Sequence, residues 1–237
     1  MNNLPFYVPA LFVATTGLAV FLFLKANPNP KKVFLLLTLW LAIQAVLGIS
    51  GFYKSDGRPP RLLFALLPPL LFIASTFLTT RGRNYLSQLD AKHLTLLHSI
   101  RVPVEIVLLW LMLAKAVPQR MTFEGQNFDI LSGLTAPVVY YFGYVRRRLP
   151  KAVLLLWNFL CLGLLINIVT VAVLAAPTPF QKLAFDQPNV AVLYFPFNWL
   201  AACVVPLVLF SHLACIRQLL APKNQVRSLG NVHSKAA

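Results

Sequence analysis

The sequence predicts an all-α, polytopic membrane protein: seven transmembrane helices, with the N-terminus outside and the C-terminus cytoplasmic. Three observations carry this. The 237 residues are 58% hydrophobic and only 11% charged, against about 25% charged in a soluble domain. Mean hydropathy is +0.72. Apolar runs near the ~20 residues that a helical span needs recur along nearly the whole chain. Little sequence is left for a soluble domain, so residues 1–221 read as one transmembrane domain and residues 222–237 as a disordered cytoplasmic tail.

Span 1 runs from Leu4 to Leu24 and ends at Lys25 and the Asn27-Pro28-Asn29-Pro30 turn. It lacks the basic lead-in and small-residue cleavage site of a signal peptide, so it is expected to be retained. Span 2, Val33 to Tyr53, carries Trp40 and, near its centre, Gln44. Span 3, Leu62 to Thr80, contains Pro68 and Pro69, tolerated where neighbours satisfy the freed backbone groups. The mixed segment Asn84 to His93 suits a short helix on the membrane surface.

Span 4, Leu94 to Val117, is the unusual one. It carries His98, Arg101 and Glu105 at i, i+3 and i+7, on one helical face, with Pro103 between them to kink the helix. The polar connection Pro118 to Asp129 follows, and Asp129 is placed to cap span 5, Ile130 to Val145. That span is short. It closes with Tyr140, Tyr141 and Tyr144 before Arg146-Arg147-Arg148, an aromatic and basic anchor. Span 6, Ala152 to Ala175, holds Asn158, and span 7, Val190 to Cys215, holds His212.

The chain has 21 lysines and arginines against 6 acidic residues, a formal charge of +15. In a soluble protein that would suggest nucleic acid. Here no nucleic-acid motif interrupts the apolar runs, so basic loops at a membrane surface explain it and no nucleic-acid partner is expected. Fourteen of the basic residues, among them Lys31, Lys32, Arg81, Arg83 and Arg146 to Arg148, fall on one side of the seven spans. Six fall on the other and Arg101 lies within span 4. The positive-inside rule then sets the orientation. The expected location is a bacterial-type inner membrane. The expected partners are the bilayer, anionic inner-leaflet lipids, and a small molecule or a protein.

Depth follows at ~1.5 Å per residue. Entering from the cytoplasm, His98 lies ~6 Å deep, Arg101 ~10 Å and Glu105 ~16 Å. His212, on the way out along span 7, lies ~5 Å deep, Asn158 and Ser75 share the inner half, and Gln44 is level with Glu105. His98, Arg101, Glu105, His212, Asn158 and Gln44 are therefore expected to line one inward-facing pocket. Arg101 would pair with Glu105 four residues on and supply positive charge to a small polar or anionic ligand. Glu124, Asn127 and Asp129 form an acidic cluster outside the membrane, suited to a cation or an amine, or to capping and turning the loop.

Two other readings stand beside binding, sensing or transport. His98 and His212, on different spans at similar depth, suit two axial ligands of a b-type haem, or a quinone site, in a redox protein. A structural subunit of a membrane complex is the other. No cofactor and no metal is expected in the favoured reading. The three cysteines, Cys161, Cys203 and Cys215, form no metal-binding spacing. No GxSxG, HExxH, phosphate loop or dinucleotide fingerprint is present, and one carboxylate at membrane depth leaves a two-acid mechanism without its second member.

Overall fold

The computed structural model describes residues 4–54 and 60–221. The tail expected to be disordered, residues 222–237, lies outside the described residues. What is described is helical, with no strand among the described residues. Five helices are long and apolar enough to cross a membrane: α1 (Tyr7–Lys25), α2 (Pro30–Ile49), α5 (Ala91–Leu113), α7 (Lys151–Ala175) and α8 (Leu200–Leu220). A sixth candidate is bent by 93° into α3 (Leu63–Leu78) and α4 (Thr80–Gln88). A shorter apolar helix, α6 (Ile130–Val145), completes the set.

The breaks have local causes. Asn27 closes α1 by donating from Nδ2 to the Phe23 carbonyl at 2.9 Å. Pro30 opens α2, where its missing N–H costs nothing. Thr79 is extended and its hydroxyl accepts from Gly82 N at 3.1 Å, which caps α4 and turns it away from α3. The elbow is tight enough that a Cβ on Gly82 would lie 2.2 Å from the Thr76 carbonyl oxygen. Asp90 caps α5 through the Lys92 amide at 2.9 Å. The mixed segment expected on the membrane surface is thus α4 and the start of α5.

Prolines inside helices reshape them without breaking them. Ahead of Pro103, α5 tightens into a 3₁₀ turn at His98–Ile100 instead of kinking sharply. Pro137 precedes a π-turn at Tyr140–Val145, and Pro206 follows one at Leu200–Val204. The Ala202 carbonyl lies four residues before Pro206 and so lacks its usual α-helical donor. It accepts instead from Trp40 Nε1 at 2.8 Å, which ties α2 to α8.

The distribution of polarity is inverted relative to a soluble protein. Phe34, Leu35, Leu36, Leu39, Val46 and Ile49 of α2 face outward, while Thr16, Gln44, His98, Arg101, Glu105, Asn158 and His212 are buried. Such an apolar exterior far exceeds the patches that soluble monomers expose and is compatible with a multi-pass membrane protein. Helix α8 is the central strut, with 72% of its apolar window buried, and α2 is the most peripheral, at 17%.

Candidate functional site

The 3₁₀ turn in α5 matters because of what packs on it. Helix α6 approaches so closely that a Cβ on Gly133 would sit 2.8 Å from Val102 Cγ2 and 2.9 Å from the Val102 amide nitrogen. Ala136, one turn on, is fully buried. These small residues bring the start of α6, and with it Asp129, against Arg101. Arg101 Nη1 donates to Asp129 Oδ1 at 2.7 Å and to the Cys161 carbonyl at 3.3 Å. Both side chains are buried.

This changes two expectations. Arg101 takes its carboxylate partner from α6, not from Glu105 on its own helix. Asp129 stands at the head of α6, but its side chain makes no capping bond. It was expected outside the membrane and lies instead within the bundle. The reason is the path of the connection. Leu113 is twelve residues beyond Arg101, ~18 Å along the helix axis. Residues 114–129 run back down that distance, with Val117, Met121, Thr122 and Asn127 buried on the way.

The returning segment brings Asn127 as well. Its Nδ2 donates to Glu105 Oε1 and, at 3.0 Å, to the Met121 carbonyl. Its Oδ1 accepts from the Asp129 amide at 3.0 Å. Glu124 does not join the cluster; it is exposed in the loop. The three residues expected as one outer cluster are therefore not brought together: Asn127 and Asp129 are turned inward and Glu124 is exposed.

On the other side of Arg101 stand the histidines. Arg101 Nη2 lies 3.0 Å from His212 Nε2, and His212 Nδ1 lies 3.0 Å from Asn158 Oδ1. A guanidinium only donates, so Nε2 must accept. Nδ1 then carries the proton and donates to Asn158, whose Nδ2 is engaged with the Leu154 carbonyl at 2.9 Å. The network thus selects the neutral Nδ1–H tautomer of His212. His98 stacks on it with ring centroids 3.7 Å apart and planes 16° from parallel, and Trp157 closes the stack edge-on. Neither ring nitrogen of His98 has a partner among the described residues.

That stack does not fit a haem held between these two residues. Axial ligands point end-on at an iron from opposite faces of a porphyrin. Two rings in face-to-face contact leave no space for a macrocycle, and both nitrogens of His212 are already engaged. Among the described residues no three His, Cys, Asp or Glu side chains are grouped to hold a metal.

Gln44 also departs from expectation. Its side-chain oxygen accepts from Tyr53 OH, and its backbone carbonyl accepts from Asn198 Nδ2 at 2.7 Å. It anchors α2 and the following turn to the segment before α8, away from Arg101. Burial pushes the Tyr53 phenol up to about 12, so it stays a donor. Ser75, expected in the inner half of the bundle, is exposed, and its hydroxyl donates to the Phe72 carbonyl of its own helix.

The centre that forms therefore comprises His98, Arg101, Glu105, Asn127, Asp129, Asn158 and His212, with Trp157 as its lid. A cavity of about 50 Å³ adjoins it, lined by Arg101, Glu105, Asp129 and Met121 among apolar side chains of α7 and α8. Glu105 Oε2 and Arg101 Nε are both buried without partners among the described residues. A family model matches residues 59–220, about two thirds of the chain. The chain belongs to that family, described as Domain of unknown function (DUF8737). The DUF8737 segment takes in every residue of the polar centre and leaves out α1, α2 and the Gln44 anchor. No curated protein and no solved structure matches the chain.

Proposed function

We propose that this chain is a seven-span integral membrane protein, N-terminus outside and C-terminus cytoplasmic, that binds, senses or moves a small polar molecule at the centre around Arg101. The span count rests on the five long helices, the bent pair α3–α4 and the short helix α6. The orientation, and a bacterial-type inner membrane as its setting, rest on the uneven spread of lysine and arginine. A connection that dips inward and returns into α6 keeps the alternation of sides.

One observation carries the functional part. Charged and polar side chains from α5, the head of α6, α7 and α8 converge at bundle depth, where each is costly, and two of their polar atoms beside a cavity have no partner among the described residues. Asp129 already offsets the charge of Arg101, which favours a neutral or cationic polar species over an anion. The cavity holds one or two molecules the size of water. A larger solute enters only if the α5, α7 and α8 side chains that line the cavity move apart.

The test is a solute panel. Purified protein in lipid nanodiscs is heated with neutral, anionic and cationic small molecules. At least one polar solute should raise the melting temperature of the wild type and leave Glu105→Gln unmoved. If no solute shifts the wild type, and Glu105→Gln supports growth of a deletion strain as well as the native gene does, the centre is a structural lock and the proposal fails.

A further inference from the structure

A second cavity shares no lining residue with the polar centre. It holds about 330 Å³ and opens sideways between α2 and α3, with α8 as its floor. Val33, Leu37, Trp40 and Ile43 form one wall, Phe72 the other and Phe210 the base. The wall formed by α2 extends from Val33 to Ile43, ten residues or ~15 Å along the axis. That is half of a ~30 Å hydrocarbon core, the depth of one leaflet.

The chemistry of the lining says which part of a ligand fits there. Two side chains bring strong polar groups, and both groups are used within the protein. Trp40 Nε1 donates to the Ala202 carbonyl, and Tyr85 OH donates to Asn27 Oδ1. The Cys203 thiol is the remaining heteroatom. Nothing in the groove can orient a quinone ring or a polar solute, so its occupant is hydrocarbon there. A polar end must lie beyond the groove. At the end marked by Val33 and Tyr85 the neighbouring residues are Lys31 and Lys32, just before Val33, and Arg81 and Arg83 on the same short helix as Tyr85. All four are exposed. The Tyr85–Asn27 bond holds α4 against the α1–α2 turn, so these cations share one end of the bundle. Asp90 is the acidic residue at that end, and it is engaged with the Lys92 amide and His93.

We propose that this groove is a site for an anionic glycerophospholipid. One acyl chain lies between α2 and α3, and the phosphate sits among Lys31, Lys32, Arg81 and Arg83. The inference rests on the membrane-spanning reading and is independent of the polar centre.

The experiment titrates dioleoyl phosphatidylglycerol or dioleoyl phosphatidylcholine into the full-length protein in maltoside micelles, read by native mass spectrometry and by melting temperature. The wild type should retain one phosphatidylglycerol preferentially and melt higher with it. The double variant Lys32→Glu/Arg81→Glu should lose the preference, by about fivefold for each cation neutralised and more for reversal. Ile43→Trp, which fills the groove, should lose retention of both lipids while still melting cooperatively. Equal retention of the two lipids by the wild type, or undiminished retention by Ile43→Trp, overturns the site. Alkaline extraction of membranes separates the two levels. A chain that stays in the membrane but retains no phosphatidylglycerol refutes the lipid site alone; a chain that is released refutes the spans.

Discussion

Asp129→Asn is the most informative single change. It keeps the shape of the side chain and removes the charge that faces Arg101 at 2.7 Å. Breaking a buried pair by deleting one partner costs about 3–5 kcal/mol in soluble proteins. An arginine near the centre of a spanning helix costs about 2.5–3.5 kcal/mol on insertion scales. Arg101 would keep its bonds to His212 and the Cys161 carbonyl, and Glu105 would still lie one turn away, so the lower end applies, about 3 kcal/mol. The reverse deletion, Arg101→Met, should cost less. A stranded carboxyl can take up a proton, whereas a guanidinium cannot shed one. In the double variant Arg101→Met/Asp129→Asn neither position of the pair leaves the other with an unpaired charge, so the two losses should not add and the coupling should reach about 2 kcal/mol. The assay is unfolding by sodium dodecyl sulfate titration in mixed micelles, with helicity as the signal. Stability of Asp129→Asn within about 0.5 kcal/mol of wild type, or additivity around the cycle, would refute the argument that this pair holds α6 to α5.

His212→Ala should lower stability by about 2–3 kcal/mol, because Arg101 Nη2 and Asn158 Oδ1 each lose a buried partner; the same titration reads it, and adding Asn158→Ala to it should cost little more. Gly133→Ala should cost about 1–3 kcal/mol through overpacking against the Val102 backbone, and should reduce the coupling between positions 101 and 129. The pH dependence at the alkaline end has a definite sign. The Tyr53 phenol titrates near about 12 when folded, above its ordinary 10.0. Stability is then full below pH ~10 and is lost as pH rises through the folded value, because the unfolded chain ionises first. Tyr53→Phe should flatten that alkaline decline in a melting series, and an unchanged decline would argue against the burial of this ring.

How much of this could be read from the sequence depends on whether the deciding contact was local. The helices follow from apolar run length, and the shared face of His98, Arg101 and Glu105 follows from their spacing. Both are properties of one stretch of chain. The partners of that face are not. Glu105 is the nearest carboxylate in sequence, four residues away on the same helix, and a local rule selects it for Arg101. Asp129 becomes the partner because Gly133 and Ala136 let α6 press onto the 3₁₀ turn and because the connection before it folds back through the bundle. Neither fact shows in residue spacing. Two signs of it were nevertheless present. The chain has only 6 acidic residues for 21 basic ones, so the partner of a buried arginine comes from a short list. And a helix of sixteen residues reaches only ~24 Å, short of the ~30 Å that a full crossing needs, which marks this element as one that does not follow the simple alternation of surface loops and spans. Taken together, these two signs point to the carboxylate at the head of the short helix as the partner, whereas reading it as a helix cap leaves Arg101 with only Glu105. Gln44 shows the opposite limit: depth alone put it level with Glu105, but depth does not fix azimuth, and its side chain bonds Tyr53 and none of the residues around Arg101.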